Sequence, residues 1–221
     1  MGPGIIEVFI EYWPMFLKGA LGTLRYAAIA VAGGSILGAL IAILRLSGNK
    51  IFDGIATIYV DVLRGTPLLV QMYIAYFFLP LVFPALNKVD KEVTVLIALT
   101  LNSSAYVSEI IRGGINSVDI GQTEAARSLG LSAKNTMIKI ILPQAIKNIL
   151  PSLANEYISM IKETSMAGTF MLYELMYTRT LLANKYLAWQ PLFIIAGIYL
   201  VMTLVLTNLV KLFERRMSVS D

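Results

Sequence analysis

Five stretches of this chain, residues 21–46, 68–86, 93–111, 146–171 and 189–210, are long and apolar enough to be read as membrane-spanning helices. A span needs about 20 mostly apolar residues to cross the hydrocarbon core of a bilayer. Inside that core each backbone N–H and C=O must find a partner within its own segment, so such runs fold as helices. The last run is the clearest. The fourth is the weakest, interrupted by Pro151, Asn155, Glu156, Lys162 and Glu163. The first carries Gly33, Gly34 and Gly38, small residues that let another helix pack closely. The second is bent or ended by Pro80 and Pro84. The expected fold is an all-α integral membrane protein, a single transmembrane domain over residues 1–221 with about five transmembrane helices.

Composition agrees with lipid as the solvent. Of the 221 residues 57% are hydrophobic and 14% charged, against about 25% charged in a soluble domain, too few to coat a globule. Cysteine and histidine are both absent, which removes thiol nucleophiles, disulfides, Cys/His zinc sites and imidazole acid–base chemistry. A Ser-His-Asp hydrolase is excluded, and no convergent catalytic set of carboxylates and lysines stands out. The expectation is therefore no catalytic residue, no metal site and no nucleic-acid partner.

The first residues do not read as a cleaved signal peptide, since Glu7 and Glu11 precede the first basic residue, Lys18. Ile5, Ile6, Phe9, Trp13, Phe16 and Leu17 put an apolar stripe on a short interfacial helix, or else form an extended lead into the first span. An odd number of spans places the termini on opposite sides. Eleven basic residues, from Arg45 and Lys50 to Arg215 and Arg216, fall in one set of connecting segments. Five (Lys18, Lys88, Lys91, Arg179, Lys185) fall in the other. The positive-inside rule then puts the amino terminus outside and the carboxyl terminus in the cytoplasm.

Between the first two spans, Ile51, Ile55, Ile58, Tyr59 and Val62 recur at helical spacing opposite Asp53 and Asp61, as on a surface-lying or span-packed helix. Gly65 can end it, with Thr66 as N-cap and Pro67 as first residue of span two. The long polar segment between spans three and four, about 117–143, writes a helix–turn–helix facing the cytoplasm. Asp119 caps the first helix with Gln122 as its capping-box partner, and Gly130 stops it in a left-handed conformation. Ser132 caps a second helix through Ile141, which Pro143 breaks. The alanines and Gly130 leave the first helix nearly bare, suited to insertion into a partner's groove.

Glu124-Ala125-Ala126, then Gly130, then Ile140-Ile141-Leu142-Pro143 resembles the EAA motif of ABC-importer permeases in residue type, spacing and position between spans. Arg64-Gly65-Thr66-Pro67 and Lys162-Glu163-Thr164-Ser165 resemble the polar amino-acid branch, the histidine-, glutamine- and arginine-type permeases, whose five-span plan also matches. The resemblance implies an importer subunit in the bacterial cytoplasmic (inner) membrane. Glu124, Ala125, Ala126, Leu129 and Gly130 would couple it to an ATPase. The implied partners are a second, identical permease chain, two ATP-binding subunits on the cytoplasmic side and an extracytoplasmic amino-acid-binding protein. No G-x-x-x-x-G-K-[ST] loop is present, so ATP and Mg would sit on the partner and this chain would bind no cofactor.

Charged residues inside spans cost about 2.5–3.5 kcal/mol each and by default mark a functional site. On span four, Asn155, Ser159, Lys162, Glu163 and Met166 share one face. On span three, Asn102, Tyr106 and Glu109 do so, with Ser103 beside them. These faces are the expected walls of a polar pathway. Glu163 would attract a cationic side chain, favouring arginine, lysine or histidine; the alternative is a structural pair with Lys162 or Arg25. Thr164, Ser165, Ser103 and Ser104 would hold the substrate carboxylate if span four breaks near Glu163. Asn102 serves either as a ligand group or as an interhelical hydrogen bond. Arg64 pairs with Glu109 or Asp61, or marks the boundary. Tyr73, Tyr76, Phe77 and Phe78 read as packing or lipid-facing groups, and Glu156 is left unassigned. The competing functions are an importer of neutral or acidic amino acids, and a gradient-driven transporter or channel.

Overall fold

Apolar runs of this length, free of strand-forming alternation, fold into helices throughout the described residues. The structure, a computed structural model, describes residues 4–183 and 189–218. Lys185, counted above toward the outer side, and Met1 at the start of the amino-terminal segment lie outside them. The helices are α1 (Ile5–Leu46), α2 (Lys50–Gly65), α3 (Leu68–Val82), α4 (Lys91–Asn116), α5 (Ile120–Ser128), α6 (Ala133–Thr136), α7 (Leu142–Glu163), α8 (Leu175–Ala183) and α9 (Gln190–Ser218). Short 3-10 turns cover Pro84–Lys88 and Thr164–Phe170. By length and composition α1, α4 and α9 can each cross a membrane, and α2 with α3 pass the same test as a pair bent by 106°. With α7 in the place of the fourth run, the element order follows the five-span plan.

Helix α1 is continuous from Ile5, so the amino-terminal stripe is neither a separate interfacial helix nor an extended lead. It packs along α4 at Gly34 and Gly38. A Cβ at Gly34 would lie 2.8 Å from the Ser103 Oγ, and one at Gly38 2.8 Å from the Ser104 carbonyl oxygen. The main core joins α1, α3, α4 and α7 through Ala27, Met72, Val95, Leu99, Met160 and Ile161. A second cluster of Val8, Phe16, Leu175, Leu182 and Ile194 ties α8 and α9 to the start of α1. The opposite faces of α1 and α9 leave Ile36, Ile43, Phe193 and Val201 more than 60% exposed, as a lipid-facing surface requires.

Three local expectations are corrected. Thr66 does not cap α3: its hydroxyl donates to the Val62 carbonyl at 2.8 Å and so closes α2, while Pro67 takes the N-cap position. Gln122 does not complete a capping box with Asp119. Asp119 accepts from the Gly121 N–H at 2.7 Å, and the Gln122 side chain instead accepts from Gln144. Pro143 does not break the second helix. A π-helical turn at Met137–Ile141 joins α6 to α7, with the Leu142 N–H reaching back to the Met137 carbonyl. The widened turn accommodates the ring and missing N–H of Pro143 with no interruption. The expected helix–turn–helix is thus one short helix, α5, docked on the continuous root of α7.

Candidate functional site

The segment expected to couple to an ATPase is a capped nine-residue helix. Asp119 starts α5, and Gly130 ends it at φ +83°, with the Leu131 N–H bonding back to the Ala126 carbonyl at 3.1 Å. Glu124, Ala125, Leu129 and Gly130 are exposed, Leu129 by 81%. Ala126 is not: it is 6% exposed and faces the protein. Four of the five expected coupling residues are thus open to a partner, and Ala126 seats the helix.

Span four does break at Glu163. Thr164, Ser165, Gly168 and Thr169 are weak helix formers, and the Thr164 hydroxyl competes for the helix by donating to the Ile161 carbonyl at 2.8 Å. The chain tightens into the 3-10 turn and then reverses at Met171, whose φ of +63° is left-handed. Packing holds the turn from both sides. Tyr73 and Tyr76 of α3 stack against Phe170 at 4.8 and 5.1 Å between ring centres, while Phe77 and Phe78 face outward. Glu174, fully buried, accepts from the Met176 and Tyr177 N–H groups at 2.7 and 2.6 Å and from the Tyr199 hydroxyl at 2.9 Å.

Glu163, Ser165 and Met166 are partly exposed on this break, whereas Thr164 is buried. The internal pairings considered for Glu163 do not form. Arg25 pairs with Glu92 at 2.6 Å, and Lys162 is exposed, its charge acting on Glu163 from beyond ion-pair distance.

The polar face of α4 is closed by protein. Asn102 donates to the Gln71 side chain at 3.1 Å and, longer, to the Leu63 carbonyl at 3.5 Å. Ser104 exchanges a 2.7 Å hydrogen bond with Tyr59, and Ser103 donates to Glu156 at 3.0 Å. All three are buried, Ser103 and Ser104 completely. Their polar groups hold helices together here and are not presented to a ligand: Gly34 and Gly38 bring α1 directly over Ser103 and Ser104, and α2 and α3 enclose Asn102. Tyr106 lies under the Arg64 guanidinium. Glu109 is enclosed by Arg45, by Arg112 at 2.7 Å and by Arg64 at 3.7 Å, so of the options for Arg64 the structure takes Glu109.

What remains open is α7. Asn148, Ser152, Asn155 and Lys162 are exposed and Ser159 partly so, a polar stripe along the whole helix. Hydrocarbon does not tolerate such a stripe, so it faces protein or water. A polar helix inside a membrane domain, broken at its end, beside an exposed capped helix on one side of the bundle, is the layout of a transport subunit driven by contact.

Residues 34–219 match the family model described as the binding-protein-dependent transport system inner membrane component. The chain belongs to this family. Within it, the putative glutamine transport system permease protein of Rickettsia felis is 38% identical over 98% of this chain and all of its own. The arginine transport system permease protein of Bacillus subtilis is 39% identical over 94% of each chain. Among solved structures, a chain from a crystal structure of an amino acid ABC transporter with histidines superposes with a TM-score of 0.89 at 40% identity, over 98% of this chain and 100% of that one. An inward-facing methionine ABC transporter shares the fold at 16% identity with a TM-score of 0.69. The protein is thus a multi-pass inner-membrane permease subunit of an amino-acid ABC importer. It is not an enzyme; a separate subunit hydrolyses ATP, and a binding protein completes the system. A gradient-driven transporter or channel is set aside.

Sequence reasoning missed Gln71, Tyr59 and Glu174. Each acts through a partner far along the chain, and only Glu174, an acid between apolar runs, carries a signal of its own.

Proposed function

We propose that this permease imports polar amino acids with a preference for cationic side chains, arginine, lysine or histidine. One observation carries the reading. Glu163 sits at the break in span four, partly exposed, and among the described residues no lysine or arginine forms an ion pair with it. An unpaired carboxylate in a membrane helix calls for a cation, and the transported side chain supplies one. Ser165 and Met166 flank it at the start of the Thr164–Phe170 turn.

Two copies of the chain, each a single domain over residues 1–221, enclose the path with their α7 stripes. The amino terminus is outside and the carboxyl terminus inside. Two ATPase subunits hold the ATP and Mg and dock on Glu124, Ala125, Leu129 and Gly130, while this chain binds no cofactor. A second reading, a neutral substrate, is favoured by the relatives named for glutamine.

Uptake of a labelled amino-acid panel by the reconstituted complex tests both. Arginine, lysine or histidine should dominate, and Glu163→Gln should reduce their uptake about tenfold while sparing glutamine. Equal loss for both classes refutes the charge argument.

A further inference from the structure

The acids on the membrane helices sort by what neutralises them. Glu92 is paired with Arg25, and Glu109 with three arginines. Glu174 is held by two backbone amides and a phenol. Glu156 is different. It is partly buried on α7, its recorded partner is the Ser103 hydroxyl at 3.0 Å, and it forms no ion pair among the described residues. One neutral hydroxyl leaves a carboxylate in a membrane helix short of a countercharge.

Its position relative to Glu163 is set by the helix. Both lie within α7, seven residues apart, hence on the same face and separated by about 10.5 Å along the axis. Two carboxylates so placed, each with side-chain reach, match an extended amino acid with a cation at either end. Resting on the assignment of Glu163 to the side chain, we propose that Glu156 receives the α-ammonium group of the substrate. Ser103 positions it: a hydroxyl pinned under α1 holds one carboxylate oxygen, leaving the other for the ligand. Every amino acid carries the α-ammonium, so Glu156 supplies affinity without selecting the side chain, and Glu163 selects.

The test is competition against labelled L-arginine on the complete permease–ATPase complex in nanodiscs, without binding protein. Each amino acid is paired with its α-deamino analogue: L-arginine with 5-guanidinopentanoate, L-glutamine with glutaramate. Wild type should prefer each amino acid over its analogue by about tenfold. Glu156→Gln, which keeps the shape and the hydrogen bond to Ser103, should abolish that preference in both pairs and leave the analogues' own affinities unchanged. Equal weakening of amino acids and analogues would mean a structural role and overturn the proposal, as would an unchanged preference. Should Glu156→Gln fail to assemble, Glu156→Asp carries the test, its shortened reach lowering the preference in the same direction. If instead wild type binds glutamine and not arginine, the cationic reading of Glu163 fails. The label then passes to glutamine, whose pair still decides the role of Glu156.

Discussion

Glu109 and Glu163 are the same residue type on two membrane helices, and their neighbours give them opposite work. Glu109 is enclosed by Arg45, Arg64 and Arg112, and its removal would leave Arg45, only 13% exposed, with the longer 3.9 Å pair to Asp53. Breaking a largely buried pair costs about 3 kcal/mol or more. Glu109→Ala should therefore lower the thermal-unfolding midpoint of the complex in detergent, with no change in the ratio of arginine to glutamine uptake. Glu163→Gln should do the reverse, altering that ratio with an unchanged midpoint. The sequence marked both acids as functional candidates through their place in apolar runs. It could not separate them, because the three guanidinium groups reach Glu109 from α1, α2 and its own helix.

At the scale of elements, α5 and the break after Glu163 show which local signals carry through to structure. Asp119, Ser132 and Gly130 act where the sequence places them, since capping depends on neighbours within a few residues. A side chain at Gly130 meets no atom within 4 Å, so the only internal penalty is the left-handed backbone, about 1–2 kcal/mol. Gly130→Ala should then assemble and retain much of its transport, while Gly130→Trp should bind the binding protein normally yet abolish uptake; normal uptake by the tryptophan variant would remove α5 from the coupling surface. The proline expectation fails for a physical reason: a π turn upstream absorbs Pro143, and nothing in the local sequence announces it. Gly34→Leu should be severe, because the added side chain enters the α1–α4 contact 2.8 Å from Ser103. Loss of folded protein in the membrane fraction measures this.

For the whole molecule, the exposed polar stripe of α7 is the strongest statement about assembly. Asn148, Ser152, Asn155 and Lys162 are exposed on a helix that hydrocarbon would reject. The chain has no cysteine, so single cysteines can be introduced on a clean background. Asn155→Cys should crosslink between two copies of the permease and slow when transport is turning over, whereas Ile36→Cys on the lipid-facing side of α1 should not crosslink. Ala125→Cys should capture the ATPase subunit, a site preferred to Ala126, which the fold buries.

Hydropathy, cap residues and the EAA spacing are one-dimensional signals with one-dimensional causes: bilayer thickness, backbone hydrogen bonds at helix ends, the length of a short docking helix. From these the chain by itself determined its membrane class, its helix order and the capped helix α5. The tertiary structure decided which polar residues are free. Ser103 and Ser104 are closed off because glycines on α1 let two helices meet over them, Asn102 because α2 and α3 supply its partners, and Glu156 and Glu163 form no ion pair among the described residues because the arginines gather elsewhere. Pairing of charges depends on three-dimensional proximity, and no spacing along the chain encodes it.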